Sequence, residues 1–265
     1  MAKAEINGIN MYYEIHGDGE PIILANGIFM NTTSWFGQTP AFSNHYKVIV
    51  YDMRGQGQTD KPDGDYSFEL HADDQKALLD HLGIDKVHHI GISYGAELGL
   101  LFALQYPERL HSLVLSNCVS YIGPLLDKIS NLWRYACVKN DPEMFYHATV
   151  PFNFSETFIA NNKAFFDVAL DRYKQLDLPS FINLLDAFQK LNVTERLAEI
   201  TTPTLILGGK KDVLKPPKPY SYLLNEKIKN SKMALIDDAG HALTHEKPEE
   251  FNSEVLEFLA QYKSQ

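Results

Sequence analysis

Cysteine is scarce in this chain, with two among 265 residues, and so few exclude a disulfide framework. Cys118 and Cys137 are expected as small core hydrophobes in a reducing interior, which implies a cytoplasmic location. Long apolar runs are missing as well. No stretch approaches the ~18 residues that would suggest a membrane span, and residues 1–8 carry no apolar segment of the kind a secretory leader needs. The third shortage is basic charge. Lys and Arg number 24 against 34 Asp and Glu, a formal charge of −10. With no basic stretch to offset this, neither nucleic acid nor an anionic membrane is expected as a partner. The densest basic run, Lys210, Lys211, Lys215 and Lys218, is broken by prolines and reads as a solvated loop rather than a phosphate site. The chain also lacks repeats and low-complexity tracts.

What is present is an ordinary globular composition, 45% hydrophobic and 22% charged, in a chain long enough for one large domain or two modest ones. Residues 4–6 and 9–15 are β-prone stretches around Asn7-Gly8, a dipeptide that tolerates the positive φ of a tight turn, so the chain is expected to open as a hairpin. Continuous apolar runs follow at 22–25, 48–51, 89–92, 113–115 and 204–207, with a last one at 234–236. Unalternating runs suit parallel strands covered on both faces. Helical patterns separate them, at about 69–82, 93–106, 216–226 and 248–262. The fold expected is α/β, a mostly parallel sheet of about eight strands flanked by helices. Residues 119–200 break this rhythm. They show no convincing strand, but Phe165, Phe166, Ala169, Leu170, Tyr173 and Leu176 recur at helical spacing, as do Phe181, Leu184, Leu185, Phe188 and Leu191. A helical cap over 119–200 is therefore expected, inserted into a core made of 1–118 and 201–265.

Gly91-Ile92-Ser93-Tyr94-Gly95 falls where a strand ends and a helix begins. A Ser on so sharp a turn crowds the residues two before and two after it, so both must be small. The turn lifts the hydroxyl above the carboxyl ends of the strands, where open α/β sheets bind ligands. The helix beyond it presents unpaired N–H groups to developing negative charge.

The stretch from Leu82-Gly83-Ile84 through this turn to Tyr106-Pro107-Glu108-Arg109-Leu110 resembles the α/β-hydrolase superfamily. So do Asp52-Met53-Arg54-Gly55-Gln56-Gly57, Gly208-Gly209-Lys210-Lys211-Asp212 and Ala239-Gly240-His241 followed by Glu246-Lys247-Pro248. The marks fall in the family's order Ser, Asp, His, and the likeness covers nearly all the chain outside the cap. By this resemblance the chain is a capped member similar to small bacterial esterases and enol-lactonases. The resemblance implies Ser93 as nucleophile, His241 as its base and Asp212 as the acid that orients the His. His245 lies at a position the family varies, and His88 and His89 start a strand at the other end of the sheet. Where some relatives carry the acid after strand six, this chain has Ser116 and Asn117, neither of which ionises. Asp237 and Asp238 sit too near His241 in sequence to curl back onto it.

The same resemblance implies an oxyanion hole made by the main-chain N–H groups of Tyr94 and of Ile28, the latter in the loop Asn26-Gly27-Ile28-Phe29-Met30. The chain has Asn26 where relatives more often have His, and Asn suits a tight turn with local hydrogen bonds. Phe29 and Glu97 are candidate pocket residues. Glu97, one helical turn beyond Ser93, reads either as an acid favourably placed at a helix N-terminus or as a carboxylate at the pocket edge that selects polar or cationic substrates. The expected activity is hydrolysis of a small, mainly apolar carboxylic ester or lactone through an acyl-enzyme, with no metal or organic cofactor. Carbon–carbon bond hydrolysis, perhydrolysis and slow-turnover ligand sensing are the alternatives that would keep the same three residues.

Overall fold

Strands β1 (Ala2–Ile6) and β2 (Ile9–His16) pair antiparallel across Asn7-Gly8. The φ angles of that pair, 45° and 77°, lie in the left-handed region that Asn and Gly tolerate. This computed structural model describes residues 2–262, so Met1 and residues 263–265 of the expected core domain lie outside the described residues. Beyond the hairpin come β3 (Pro21–Ala25), β4 (Lys47–Tyr51), β5 (Val87–Ile92), β6 (Leu110–Ser116), β7 (Thr204–Gly209) and β8 (Ser231–Ile236). They form one eight-stranded sheet in the order β1-β2-β4-β3-β5-β6-β7-β8. The β1–β2 and β2–β4 pairings are antiparallel; from β4 along the sheet to β8 every pairing is parallel.

The helices are α1 (Thr39–Ser43), α2 (Phe68–His81), α3 (Tyr94–Gln105), α4 (Pro124–Lys139), α5 (Pro142–Asn153), α6 (Glu156–Asn161), α7 (Lys163–Tyr173), α8 (Phe181–Gln189), α9 (Tyr220–Lys227), α10 (Leu243–Glu246) and α11 (Pro248–Leu259). The sheet separates two apolar layers. Ile22, Leu24, Val48, Val50 and Ile90 point to the side that α11 covers with Phe251, Val255 and Phe258. Ile23, Ala25, Ile49 and Leu113 point to the other, which α2 and α3 cover with Leu78, Leu79, Leu98 and Phe102. Burial on both faces is why the central strands read as unbroken apolar runs.

Element boundaries shift modestly from the expected ones. β5 and β6 begin earlier than their apolar cores, and α9 starts at Tyr220 because Pro216, Pro217 and Pro219 occupy three of the four positions before it. Between β6 and β7 the described chain holds helices joined by loops and no strand, apart from the single bridge Tyr121–Asn192. Helices α4 and α5, which periodicity did not single out, fill the first half of that segment, and Asn140 closes α4 in the left-handed conformation. Trp133, Phe145 and Phe181 from this segment pack around Phe29 of the β3 loop, with ring centroids 4.7–5.4 Å apart. Among the described residues no helix is long and apolar enough to cross a membrane.

Candidate active site

Ser93 stands between β5 and α3 at φ 53° and ψ −121°, a conformation costly for a residue with a side chain. The close packing around it explains the flanking glycines. A Cβ on Gly91 would collide with the main chain of Gly95, and one on Gly95 with the Ala25 carbonyl. Ser93 N–H donates to Ser116 O at 2.9 Å, which fastens the turn to the end of β6. His89 reaches the same turn from β5, its Nε2 lying 3.0 Å from Gly95 O. The ring therefore supports the turn from beneath without meeting the Ser93 hydroxyl.

His241 Nε2 lies 3.0 Å from Ser93 Oγ and His241 Nδ1 lies 2.8 Å from Asp212 Oδ2. A carboxylate can only accept, so Nδ1 carries the proton and Nε2 is left bare to accept from the serine hydroxyl. Asp212 is almost fully buried, but its oxygens are well supplied. Oδ1 accepts from the main-chain N–H groups of Leu214 and Lys215 at 2.9 and 2.8 Å, and Oδ2 from Asn117 Nδ2 at 2.9 Å. Asn117 also donates to the carbonyls of Gly240 and His241 at 3.2 and 3.0 Å, so it clamps the acid loop to the histidine loop. Asn117 does not ionise and so cannot serve as the acid, but its amide holds that acid in place, a role its residue type alone does not announce.

The loop after β3 is pinned by buried side-chain hydrogen bonds. Asn26, fully buried, donates to Tyr51 O at 2.9 Å and accepts from Trp35 Nε1 at 2.7 Å. Its partners are thus distant in sequence rather than the local ones expected of a turn Asn. Gln56 Nε2 donates to the carbonyls of Gly27 and Ile28 at 2.9 and 3.0 Å. Asp52 accepts from Thr32 N–H and Gln58 N–H at 2.8 Å each, and burial holds its carboxyl above the usual range. The Asp52–Gly57 turn is therefore the brace of this loop. Ile28 borders Ser93, and Tyr94 is the first residue of α3, where main-chain N–H groups lack intrahelical partners.

Two expectations are corrected here. Lys210, Lys211 and Lys218 are exposed as expected of a solvated loop, but Lys215 is 3% exposed. Glu97 does not stand at the pocket edge. It is fully buried, with both carboxylate oxygens 2.9 Å from Lys215 Nζ and Oε1 also accepting from Val119 N–H. A carboxylate within α3 cannot stay ionised in an apolar core without a partner, and the lysine two residues past Val213 supplies it. Burial pushes the Glu97 carboxyl up, against the pull of this ammonium. Lys215 Nζ also donates to Ser93 Oγ at 3.1 Å and lies 4.9 Å from the centre of the Phe188 ring. Sequence gave no sign of this contact, because the two residues are 122 positions apart.

A cavity of about 210 Å³ opens beside Ser93 on the His241 side, walled by Phe29, Met30, Trp133, Phe154, Tyr173 and His245. Phe29 is thus a wall residue, as expected. His245 faces the cavity, bonded to Thr244 Oγ1 at 3.3 Å rather than to Ser93. Asp237 pairs with Lys210 and Asp238 accepts from Thr157, so neither approaches His241. The helical segment is tied to the histidine loop by Ala242 N–H donating to Asn153 O at 2.7 Å and by Ser155 donating to Glu246.

A family model described as the alpha/beta hydrolase fold matches residues 20–248. A protein of Azorhizobium caulinodans named "Putative carbamate hydrolase RutD" is 30% identical over 98% of this chain and 99% of its own length. Among solved structures, an alpha/beta hydrolase enzyme from a Medee basin deep-sea metagenome library superposes with a TM-score of 0.94 at 31% identity, covering 100% of this chain and 99% of that one. The enol-lactonase of Burkholderia xenovorans superposes with a TM-score of 0.90 at 24% identity, over 97% and 99% of the two chains, a likeness of fold alone.

Proposed function

The chain belongs to the alpha/beta hydrolase family, and from that premise we propose that it is a serine hydrolase that cleaves a small, mainly apolar carboxylic ester or lactone. The reading rests on one observation, the continuous hydrogen-bonded line from Ser93 Oγ through His241 to Asp212. Ser93 Oγ attacks the carbonyl carbon while its proton passes to His241 Nε2. Asp212 holds the imidazole in the tautomer that can accept it and stabilises the imidazolium that results. The oxyanion is received by the N–H groups of Ile28 and Tyr94. His241 then gives its proton to the leaving oxygen and the carbon–oxygen bond breaks; water next gives a proton to His241 as its oxygen bonds to the acyl carbon, and that proton returns to Ser93 Oγ as the Oγ–carbon bond breaks and the acid is released. No metal or organic cofactor takes part in this route. The segment 119–200 acts as the cap of the site, and its aromatic side chains make the cavity wall.

A carbamate carbonyl is open to the same attack, and the RutD relative's name supports that second reading. In the Ser93→Ala variant, turnover of phenyl acetate is expected to fall at least about 10³-fold with the circular dichroism spectrum unchanged. Undiminished turnover would overturn the assignment. Rapid labelling by a fluorophosphonate with repeated turnover supports an enzyme, whereas labelling with a single slow turnover supports a ligand sensor.

A further inference from the structure

Buried ammonium groups are uncommon, and this one touches the nucleophile. Lys215 Nζ has three N–H donors, and the structure assigns each an acceptor: Glu97 Oε1, Glu97 Oε2 and Ser93 Oγ. The surroundings are otherwise apolar. Leu126, Leu214, Trp133 and Phe188 close a second, smaller space beside Ser93, of about 10 Å³, and Lys215 contributes the polar part of its wall together with Ser93. The larger cavity lies on the His241 side. Because His241 must protonate the leaving oxygen, the leaving group belongs in that larger cavity, and the acyl chain is directed to the small space beneath Lys215. That space is about the size of one water, so it takes a single terminal heavy atom of a short acyl chain.

We infer that Lys215, held by Glu97, selects short acyl groups that carry a hydrogen-bond acceptor on the atom next to the carbonyl, such as 2-hydroxyacyl groups. The inference rests on Ser93 acting as the acyl acceptor proposed above. During acylation the Ser93 Oγ–carbon bond forms, the bond to the leaving oxygen breaks, and the serine proton travels through His241 to that oxygen. Oγ thereby changes from a hydroxyl into an ester oxygen, a much poorer acceptor. The third N–H of Lys215 loses its partner, an acyl chain that fills the small space leaves no room for a water to replace it, and a buried donor left unmatched is costly. The two carboxylate oxygens keep the other two N–H groups in place, so the ammonium cannot swing away to solvent. An acceptor on the acyl chain, bound one atom beyond the carbonyl carbon, lies about as far from Oγ as Nζ does and takes up the freed N–H. A plain alkyl group of the same size cannot. Sites built around a buried donor reject ligands that lack the acceptor for this reason.

The test compares phenyl glycolate with phenyl propionate, whose acyl groups differ by a hydroxyl in place of a methyl. The readout is the ratio of their kcat/KM values, in the native protein and in two variants. Lys215→Met removes the ammonium but strands Glu97, so the paired replacement of Glu97→Met with Lys215→Met serves as the folded control, its state checked by circular dichroism and thermal melting. Intrinsic ester reactivity is common to all three proteins and cancels. The ratio of glycolate to propionate is expected to fall roughly ten-fold or more in both variants. An unchanged ratio in the folded double variant, with fluorophosphonate labelling retained, would overturn the acyl preference while leaving the serine mechanism intact. A native protein that neither labels nor turns over either ester would overturn the serine reading, and this inference with it.

Discussion

Asp212 accepts four hydrogen bonds on two oxygens, from His241 Nδ1, Asn117 Nδ2 and the main-chain N–H groups of Leu214 and Lys215. A carboxylate so supplied cannot rotate, and its fixed position sets the ring plane of His241. Asn117 makes the only side-chain amide contact in that set, and it donates as well to the two carbonyls that frame His241. Asn117→Ala is expected to lower kcat/KM about ten-fold and to cost about 1–3 kcal/mol of stability, since it removes two N–H donors that are shared among three buried acceptors. Ester kinetics and urea unfolding check the two effects; an unaltered kcat/KM would mean that the Asp212–His241 geometry stands without the clamp. Residues of this kind were the least legible in the sequence. Ser93, Asp212 and His241 could be placed because each sits in a short motif with its own local geometry. Asn117 and Lys215 matter through side chains that cross 95 and 122 positions of sequence, and no local pattern encodes such a meeting. A lysine among prolines reads as solvated until the fold turns it inward.

At the scale of elements, the loop after β3 depends on the turn after β4. Gln56 reaches from that turn to the carbonyls of Gly27 and Ile28, and by holding those carbonyls it sets the direction of the peptide N–H groups between them. Gln56→Leu preserves bulk and removes both donors. If Ile28 N–H receives the oxyanion, kcat is expected to fall about ten- to a hundred-fold with KM little changed, because the lost alignment matters most when charge develops. A rise in KM with kcat intact would instead place this loop in ground-state binding. Strands and the nucleophile turn were readable because parallel strands buried on both faces leave continuous apolar runs, and because the glycines of the turn answer a steric demand at fixed spacing. Helix α4 carries its buried residues Leu126, Ile129, Trp133, Ala136 and Cys137 on one helical stripe that could have been read from the sequence, whereas α5 is masked by Pro151 within it and by a shorter buried face. Glu97 shows a different limit within one helix. Its position one turn beyond Ser93 was plain, but only the packed fold shows that this face of α3 turns inward rather than to the cavity.

The molecule as a whole holds buried titratable groups that oppose one another as pH falls. His71 and His89 are kept neutral by burial, with pKa values lowered to about 3 and about 4. Their stabilising contribution is complete above the unfolded value near 6.5 and is lost as pH drops toward the folded values, because the unfolded chain takes up protons that the native chain refuses. Burial raises Glu97 and Glu246 instead. Their contribution is greatest below the ordinary carboxylate range and is lost as pH rises through the higher folded values, so acidification favours the native state through them. The two sets partly cancel, and a single-residue change is needed to isolate one. His71 suits this. Both its ring nitrogens lack a hydrogen-bond partner among the described residues, and its ring meets Tyr66 and Tyr94 edge-on, with centroids 5.7 and 5.5 Å away. His71→Phe keeps those aromatic contacts and removes the proton uptake of the unfolded chain. Relative to the native protein, the variant's unfolding free energy is expected to gain about 1.4 kcal/mol for each pH unit between about 6 and 4, with little change at pH 7.5. Urea unfolding across that range measures the difference directly. Parallel pH profiles for the two proteins would mean that His71 titrates in the native state as freely as in the unfolded one.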